Sequence, residues 1–284
     1  MMTKRANCVP VLMYHHVSPS AGMITTSPQN FERQIAGLAK AGYQTLTSEQ
    51  FAGFLRGDPI PSKSILITFD DGYLDNYVYA YPVLKRHGMT AMLFLITGLI
   101  GDGSARAYAG SGLSLPHTPE HKQAKALMFS DRRDEVMLRW SEVFLMQQEG
   151  TFEFHSHTNT HERWDLLRSD LLDKNKNMKD DLATSRDVLI AKLGNCSDHL
   201  CWPQGYFDAD YVKLAQDLGF KYLYTTDAYG QNTVGHDPAH IYRFAVRNRG
   251  FLWIAQRTWL ASHPLFGPLY NRWKLWKRAR RKKG

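Results

Sequence analysis

The sequence predicts an α/β fold, a distorted (β/α) barrel with an inserted loop and a basic C-terminal helical tail. Three observations point to it. Short β-favouring apolar runs alternate with segments of helical period, the rhythm of a parallel sheet covered by helices. The chain has 284 residues and is 43% hydrophobic, which suits one large domain or two small ones, and a barrel of that size is ordinary. Four clusters of chemically capable side chains directly follow apolar runs, where parallel α/β folds gather function.

The elements follow in order. VPVLMYH (residues 9–15) reads as a first buried strand. SPQNFERQIAGLAKAG offers Ser27 as a helix N-cap, Pro28 at the first helical position, and Phe31, Ile35 and Leu38 at helical spacing. TSEQFAGFL is a short helix and SILITF a strand that runs into Asp70 and Asp71. DNYVYAYPVLKRHG reads as a helix closed by Gly88, and TAMLFLIT as the next strand. Gly101–Pro119 breaks the rhythm as a long loop or insertion, followed by a helix ending near EVFLMQQEG. Strand TFEFHS, a long helix over about Leu166–Leu193, strand HLCWPQG, helix DADYVKLAQDLG and strand KYLYTT complete the alternation. IYRFAVRN is a last strand candidate and GFLWIAQRTWLASH a closing helix, so residues 1–250 are expected to form the barrel and 251–284 a helix plus tail.

Charge is concentrated at one end. The net charge is +8, and the segment from Arg272 onward holds eight basic residues and no acid, so the rest of the chain is formally neutral. A neutral globule with a basic tail argues against a nucleic-acid face, and no nucleic acid is expected as partner. The longest apolar run, MTAMLFLITGLI, is too short to cross a bilayer. Cys8, Cys196 and Cys201 give neither a disulfide framework nor a CxxC site. With no secretory leader read at the start, a reduced, cytoplasmic setting is expected.

The chemistry concentrates in MYHH, FDDG, HSHTNTH and WPQG, each at the end of a predicted strand. Adjacent carboxylates at the mouth of a buried strand repel each other and call for a compensating cation. His157 and His161 lie four apart, so a helical turn there would place both imidazoles on one face. With a carboxylate from FDDG they form a two-histidine, one-aspartate set with an open position, the pattern of a hydrolytic metal site. His155 is a rival ligand that strand alternation is expected to aim elsewhere. The other aspartate could then accept a proton from water beside the metal.

These residues resemble the polysaccharide deacetylases of carbohydrate esterase family 4, which share the NodB homology domain. TFDDG (Thr68–Gly72) matches the family's first motif, SHTNTH (Ser156–His161) its second, and WPQG (Trp202–Gly205) resembles its third. The resemblance covers about Val9 to Asn248. It implies Asp70 as catalytic base, and Asp71, His157 and His161 as ligands of a divalent metal, usually zinc. It also implies the Gln204 N–H as a donor to the oxyanion. The arginine that often opens the third motif is replaced by Cys201, and Arg243 or Arg247 could substitute. LMYHHV resembles the permuted branch that includes poly-N-acetylglucosamine deacetylases, whose YHxV motif supplies the general acid; this implies His15, with His16 as rival.

The expected substrate is an N-acetylhexosamine unit of a bacterial envelope glycan, a lipid-linked or lipopolysaccharide intermediate among the candidates. Tyr73, Trp202, Pro203, Tyr206 and Phe207 could wall a sugar site. In the tail, Leu269, Trp273 and Trp276 share one helical face among lysines and arginines, the pattern of an interfacial helix drawn to anionic lipid. Leu269–Gly284 is therefore expected to meet the inner face of the inner membrane. A silent glycan-binding barrel, an O-deacetylase and a cyclic-amide hydrolase are the rival readings.

Overall fold

A computed structural model of the chain describes residues 5–168 and 170–281. The chain runs β1 (Val11–Tyr14), β2 (His16–Val17), β3 (Thr25–Thr26), α1 (Pro28–Lys40), β4 (Gln44–Thr45), α2 (Ser48–Arg56) and β5 (Ser64–Asp71). A π-helical turn, Asn76–Ala80, leads into α3 (Tyr81–Arg86), then β6 (Ala91–Leu95), α4 (His121–Met128), α5 (Trp140–Gln148) and β7 (Phe152–Ser156). Then come α6 (Trp164–Leu167), α7 (Leu171–Leu193), β8 (His199–Cys201), α8 (Ala209–Asp217), β9 (Tyr222–Tyr224), β10 (Phe244–Ala245), α9 (Phe251–Ser262) and α10 (Phe266–Arg281).

The main sheet is parallel, in the order β10-β1-β5-β6-β7-β8-β9, with β4 alongside the start of β5. Its edge strands do not pair along their length. Instead the segment 241–245 spans the gap: Ile241 bridges Tyr224 in parallel and Phe244 pairs with Leu12. This makes a distorted barrel and explains why IYRFAVRN keeps only two residues of ladder.

Strand alternation sets the two faces. Ile65, Ile67 and Phe69 of β5 pack outward in one cluster with Phe31, Ile35 and Leu38 of α1. Leu66 belongs instead to the inner cluster with Met92, Phe94 and Tyr224. Thr68 and Asp70 continue that inner face, so the strand period aims Asp70 into the barrel.

Local signals act as read at several places. Ser27 Oγ accepts from the Asn30 amide, Pro28 opens α1, and Thr47 with Gln50 forms a capping box on α2. Two segments differ from expectation. The stretch after Asp75 begins as a π-helical turn rather than α-helix, the form that often marks functional sites. Gly101–Pro119 is the expected loop, but the single helix expected after it is two, α4 and α5, and Glu120 caps α4 by accepting from the Lys122 and Gln123 amides.

Candidate active site

At the carboxyl end of β5, Asp70 is buried and held by Arg243 from the closing segment. The guanidinium donates through Nη1 to Oδ1 at 2.7 Å and through Nη2 to Oδ2 at 2.8 Å. It also donates from Nε to Thr225 O and from Nη1 to Thr68 Oγ1, and it is buried itself. Burial pushes the Asp70 pKa up, but Arg243, with His15, outweighs it and holds the carboxyl below its usual range. The group is therefore ionised at neutral pH. The expected arginine thus comes from position 243 and reaches past Cys201, whose sulfur lies 3.0 Å from Nη2.

Asp71 turns the other way. Its φ of 80° lies in the left-handed region, which swings its carboxylate to the barrel mouth. There Oδ1 lies 3.4 Å from His157 Nε2 and 3.6 Å from His161 Nε2. His157 Nδ1 pairs with Cys201 O at 2.8 Å, which places that ring's hydrogen on Nδ1 and leaves Nε2 to face Asp71.

The two histidines do not sit on a helix, contrary to the sequence expectation. Thr158 and His161 both have left-handed φ, 62° and 63°, and the turn between them is pinned from α7. Asp181 Oδ1 accepts from the Asn159 and Thr160 amides, and its Oδ2 accepts from Thr160 Oγ1 and Trp164 Nε1. Such backbone strain is of order 1–3 kcal/mol per residue and persists where surrounding contacts impose it.

The donor set fits a divalent cation. With metal–ligand bonds of about 2.0–2.1 Å, tetrahedral zinc separates its ligand atoms by about 3.3 Å, close to the spacings seen here. Burial and the charge of His157 push the His161 pKa down to about 4, so that imidazole is neutral and able to ligate. Burial opposes charge on His157, yet Cys201 and Asp71 carry its pKa well above normal. A cation bound there displaces that proton. Asp70, His157 and Cys201 also cluster, but both Asp70 oxygens and the cysteine sulfur already face the Arg243 guanidinium. A second cation has no place beside it.

His15 directly follows β1 across the cleft, its Nε2 3.8 Å from Asp70 Oδ2. Burial lowers its pKa, partly opposed by Asp70 and Asp71. Two residues that sequence reading passed over hold this strand end. Asn76 Nδ2 donates to His15 O at 2.7 Å, and the Val17 amide donates to Asp75 Oδ1 at 3.2 Å. His16 points away from Asp70 and into a buried pair with Asp75, Nδ1 to Oδ2 at 2.6 Å.

His155 stays out of the metal cluster for a different reason from the one expected. Two residues from His157, it shares the inner face but lies about 6–7 Å deeper along the strand. There it meets Ser197 Oγ and the ring of His199.

The cleft has a volume of roughly 150 Å³ and is bordered by His15, Asp70, Asp71, His157, His161 and Gln204 among others. That is below the ~300–1,000 Å³ of sites that enclose a drug-sized ligand, so its deep part suits one substituent. Gln204 has a left-handed φ of 54°. The next residue must be glycine, because a Cβ there would meet Thr226 Oγ1 at 2.2 Å. Of the expected sugar walls, Tyr73 and Trp202 border the cleft, although the Trp202 ring is wholly buried near Phe207 and Tyr211. Pro203, Tyr206 and Phe207 do not border it; Tyr206 packs instead under the Arg163 guanidinium at 4.1 Å. The opposite wall is one that sequence reading missed: His121, Lys125, Met128 and Phe129, on or just after α4.

An ionised carboxylate beside a two-histidine, one-aspartate cluster, and outside that cluster, is the equipment of a metal-dependent hydrolase. The chain belongs to the polysaccharide deacetylase family, whose model matches residues 57–223, more than half its length; such enzymes hydrolyse carbon–nitrogen bonds other than peptide bonds. Among curated relatives, YxkH of Bacillus subtilis is 38% identical over 142 residues, 47% of this chain and 50% of that protein. The poly-beta-1,6-N-acetyl-D-glucosamine N-deacetylase of Staphylococcus aureus is 25% identical over 212 residues, 72% of this chain and 61% of that protein. The chain thus matches between half and three fifths of these relatives' lengths.

Among solved structures, IcaB from Ammonifex degensii superposes with a TM-score of 0.69 at 23% identity, covering 89% of this chain and 98% of that one. The Streptococcus pyogenes deacetylase PplD gives 0.68 at 21%, covering 93% and 100%. At these identities the likeness bears on the fold.

Proposed function

We propose that the chain removes the acetyl group from the amino nitrogen of an N-acetylhexosamine unit, of N-acetylglucosamine type, in a bacterial envelope glycan. The observation that carries this reading is the division of labour between adjacent aspartates: Asp70 is locked by Arg243 inside the barrel, and Asp71 is turned out to the two histidines. Asp71, His157 and His161 would hold a divalent ion, zinc by their donor types, which supplies Lewis acidity toward the acyl oxygen and water. Asp70 takes the proton of the attacking water, its two oxygens oriented by the guanidinium. The Gln204 N–H donates to the oxygen on which negative charge develops. His15 gives a proton to the nitrogen as the carbon–nitrogen bond breaks, because an unprotonated amine leaves poorly. Acetate and a free amino sugar result.

Incubating the zinc-loaded chain with β-1,6-linked N-acetylglucosamine oligomers tests this reading. Release of acetate with a matching rise in primary amine is expected, and its loss on chelation. Binding without release would favour a silent glycan-binding barrel. Release only from O-acetylated sugars would favour an O-deacetylase, and turnover only of ring amides a cyclic-amide hydrolase.

The tail suggests where the acceptor lies. α10 docks through Gly267 and Asn271, both buried, while Leu269, Trp273 and Trp276 stand about half exposed. Lys274, Lys277 and Arg280 lie over the Trp273 and Trp276 rings. Lys282, Lys283 and Gly284, the end of the expected membrane segment, fall outside the described residues. No helix among the described residues is long and apolar enough to span a membrane. We place the enzyme on the cytoplasmic face of the inner membrane, with a lipid-linked or lipopolysaccharide intermediate as acceptor. In flotation, the full chain should rise with vesicles containing phosphatidylglycerol, and a chain ending at Pro268 should not. Equal flotation of the two contradicts the membrane role.

A further inference from the structure

Three side chains beside the cleft form a hydrogen-bonded row that the deacetylation steps above leave unused. Asp75 Oδ2 lies 2.6 Å from His16 Nδ1, and His16 Nε2 lies 3.2 Å from His121 Nδ1. Asp75 and His16 are buried, and the His16 ring stacks on Tyr73 with centroids 3.9 Å apart. His121 opens α4 and borders the cleft.

The row has a direction. An ionised carboxylate only accepts, so His16 Nδ1 carries hydrogen toward Asp75. Burial works against charge on His16, but Asp75, helped by Asp71 and Glu120, raises its pKa. In the protonated form, which Asp75 favours, the His16 ring donates from both nitrogens and His121 Nδ1 accepts. Burial and the His16 charge lower the His121 pKa, with His15 and Lys125 adding to the effect and Asp71 opposing it. A neutral His121 that accepts at Nδ1 must carry its hydrogen on Nε2, the ring nitrogen that His16 does not engage.

The same wall has the makings of a sugar platform. Lys125 stands one turn after His121, and Phe129 exposes about half its surface (53%) beside Met128. The deep cleft suits a single substituent, so the rest of a glycan must lie against its rim.

We propose that His121 is a substrate-contacting donor: its Nε2–H holds an oxygen of the glycan next to the acetylated nitrogen, and Asp75–His16 are positioning residues that keep it in the donor tautomer. This rests on the cleft taking an N-acetylated glycan. The donor acts on binding, so its loss falls on kcat/KM more heavily for extended substrates than for small ones. A hydrogen bond from a neutral donor to a sugar oxygen corresponds to about 2- to 10-fold.

The test uses the zinc-loaded full chain with an N-acetylglucosamine tetramer and, as the small substrate, p-nitrophenyl acetate. His121→Ala should lower kcat/KM on the tetramer about 2- to 10-fold, mainly through KM, a larger loss than the one on p-nitrophenyl acetate. His121→Gln, which keeps an N–H donor, should recover most of the loss. His121→Glu, an acceptor at neutral pH, should not. Wild-type kcat/KM in His121→Ala, equal losses on both substrates, or equal recovery by Gln and Glu each overturns the donor role. If the wild type releases no acetate from any glycan, the deacetylase reading fails on its own; tetramer affinity by calorimetry then decides, and an unchanged Kd in His121→Ala overturns the inference.

Discussion

Asp70→Asn should keep about one divalent ion per chain yet lower acetate release by about 10²–10⁴-fold, the range for loss of a positioned general base. His157→Ala should lose ion and turnover together. The contrast follows from geometry. The Asp70 oxygens are both committed to Arg243, whereas His157 Nε2 faces Asp71 Oδ1 in the ligand cluster. Metal content by atomic absorption, read beside acetate release, separates the two roles. Normal activity with equal metal in both variants would refute them, and loss of the ion from Asp70→Asn would make Asp70 a ligand instead. The asparagine variant leaves Arg243 without its charged partner, so circular dichroism must show it folded before its rate is interpreted.

Arg243→Met should be the most destabilising change near the site, by about 3–5 kcal/mol at pH 7, because it strands a buried carboxylate. The pH dependence gives this prediction its sign. In the wild type the folded pKa of Asp70 lies below the unfolded value near 4. The pair's contribution is therefore complete above about pH 4 and fades as pH falls through the folded pKa. In the variant the largest opposing charge is gone, and burial lifts the folded pKa above its wild-type value against the remaining pull of His15 and His157. Its folded state then takes up a proton as pH falls, and the variant regains stability relative to the wild type. Urea unfolding of the metal-free proteins at pH 7 and pH 5 should show the gap narrowing toward acid. A gap independent of pH would mean that the carboxylate does not depend on the guanidinium.

The parts of the site written within one short segment were legible in the sequence. TFDDG and SHTNTH each place their side chains through a single strand end, so Asp70, Asp71, His157 and His161 could be named without a structure. The parts that depend on closure of the barrel were not. Arg243 could be named only beside Arg247, because the choice is made by the segment 241–245 spanning the gap between β9 and β1, with residue 243 reaching into the barrel. The spacing of four between His157 and His161 suggested a helix, but the left-handed backbone at Thr158 and His161 draws the rings together instead. The anchor of that turn, Asp181, left a faint trace as an acid among Met178, Leu182, Ser185 and Leu189 on the buried face of α7. Asp75 and Asn76 lay in plain view four and five residues after Asp71, and their task became visible only once β1 was seen beside β5. The division of the segment after Pro119 into α4 and α5 was not legible, because HKQAKALM is short and its cap is a glutamate rather than serine, threonine, aspartate or asparagine.

Diffraction from crystals of the zinc-loaded chain, with anomalous data collected on both sides of the zinc edge, is the most direct test. A single peak bonded to Asp71, His157 and His161, with the Asp70 carboxylate still paired to Arg243, is the predicted result. A peak bonded to Asp70 and Cys201, or none in the barrel mouth, would contradict it.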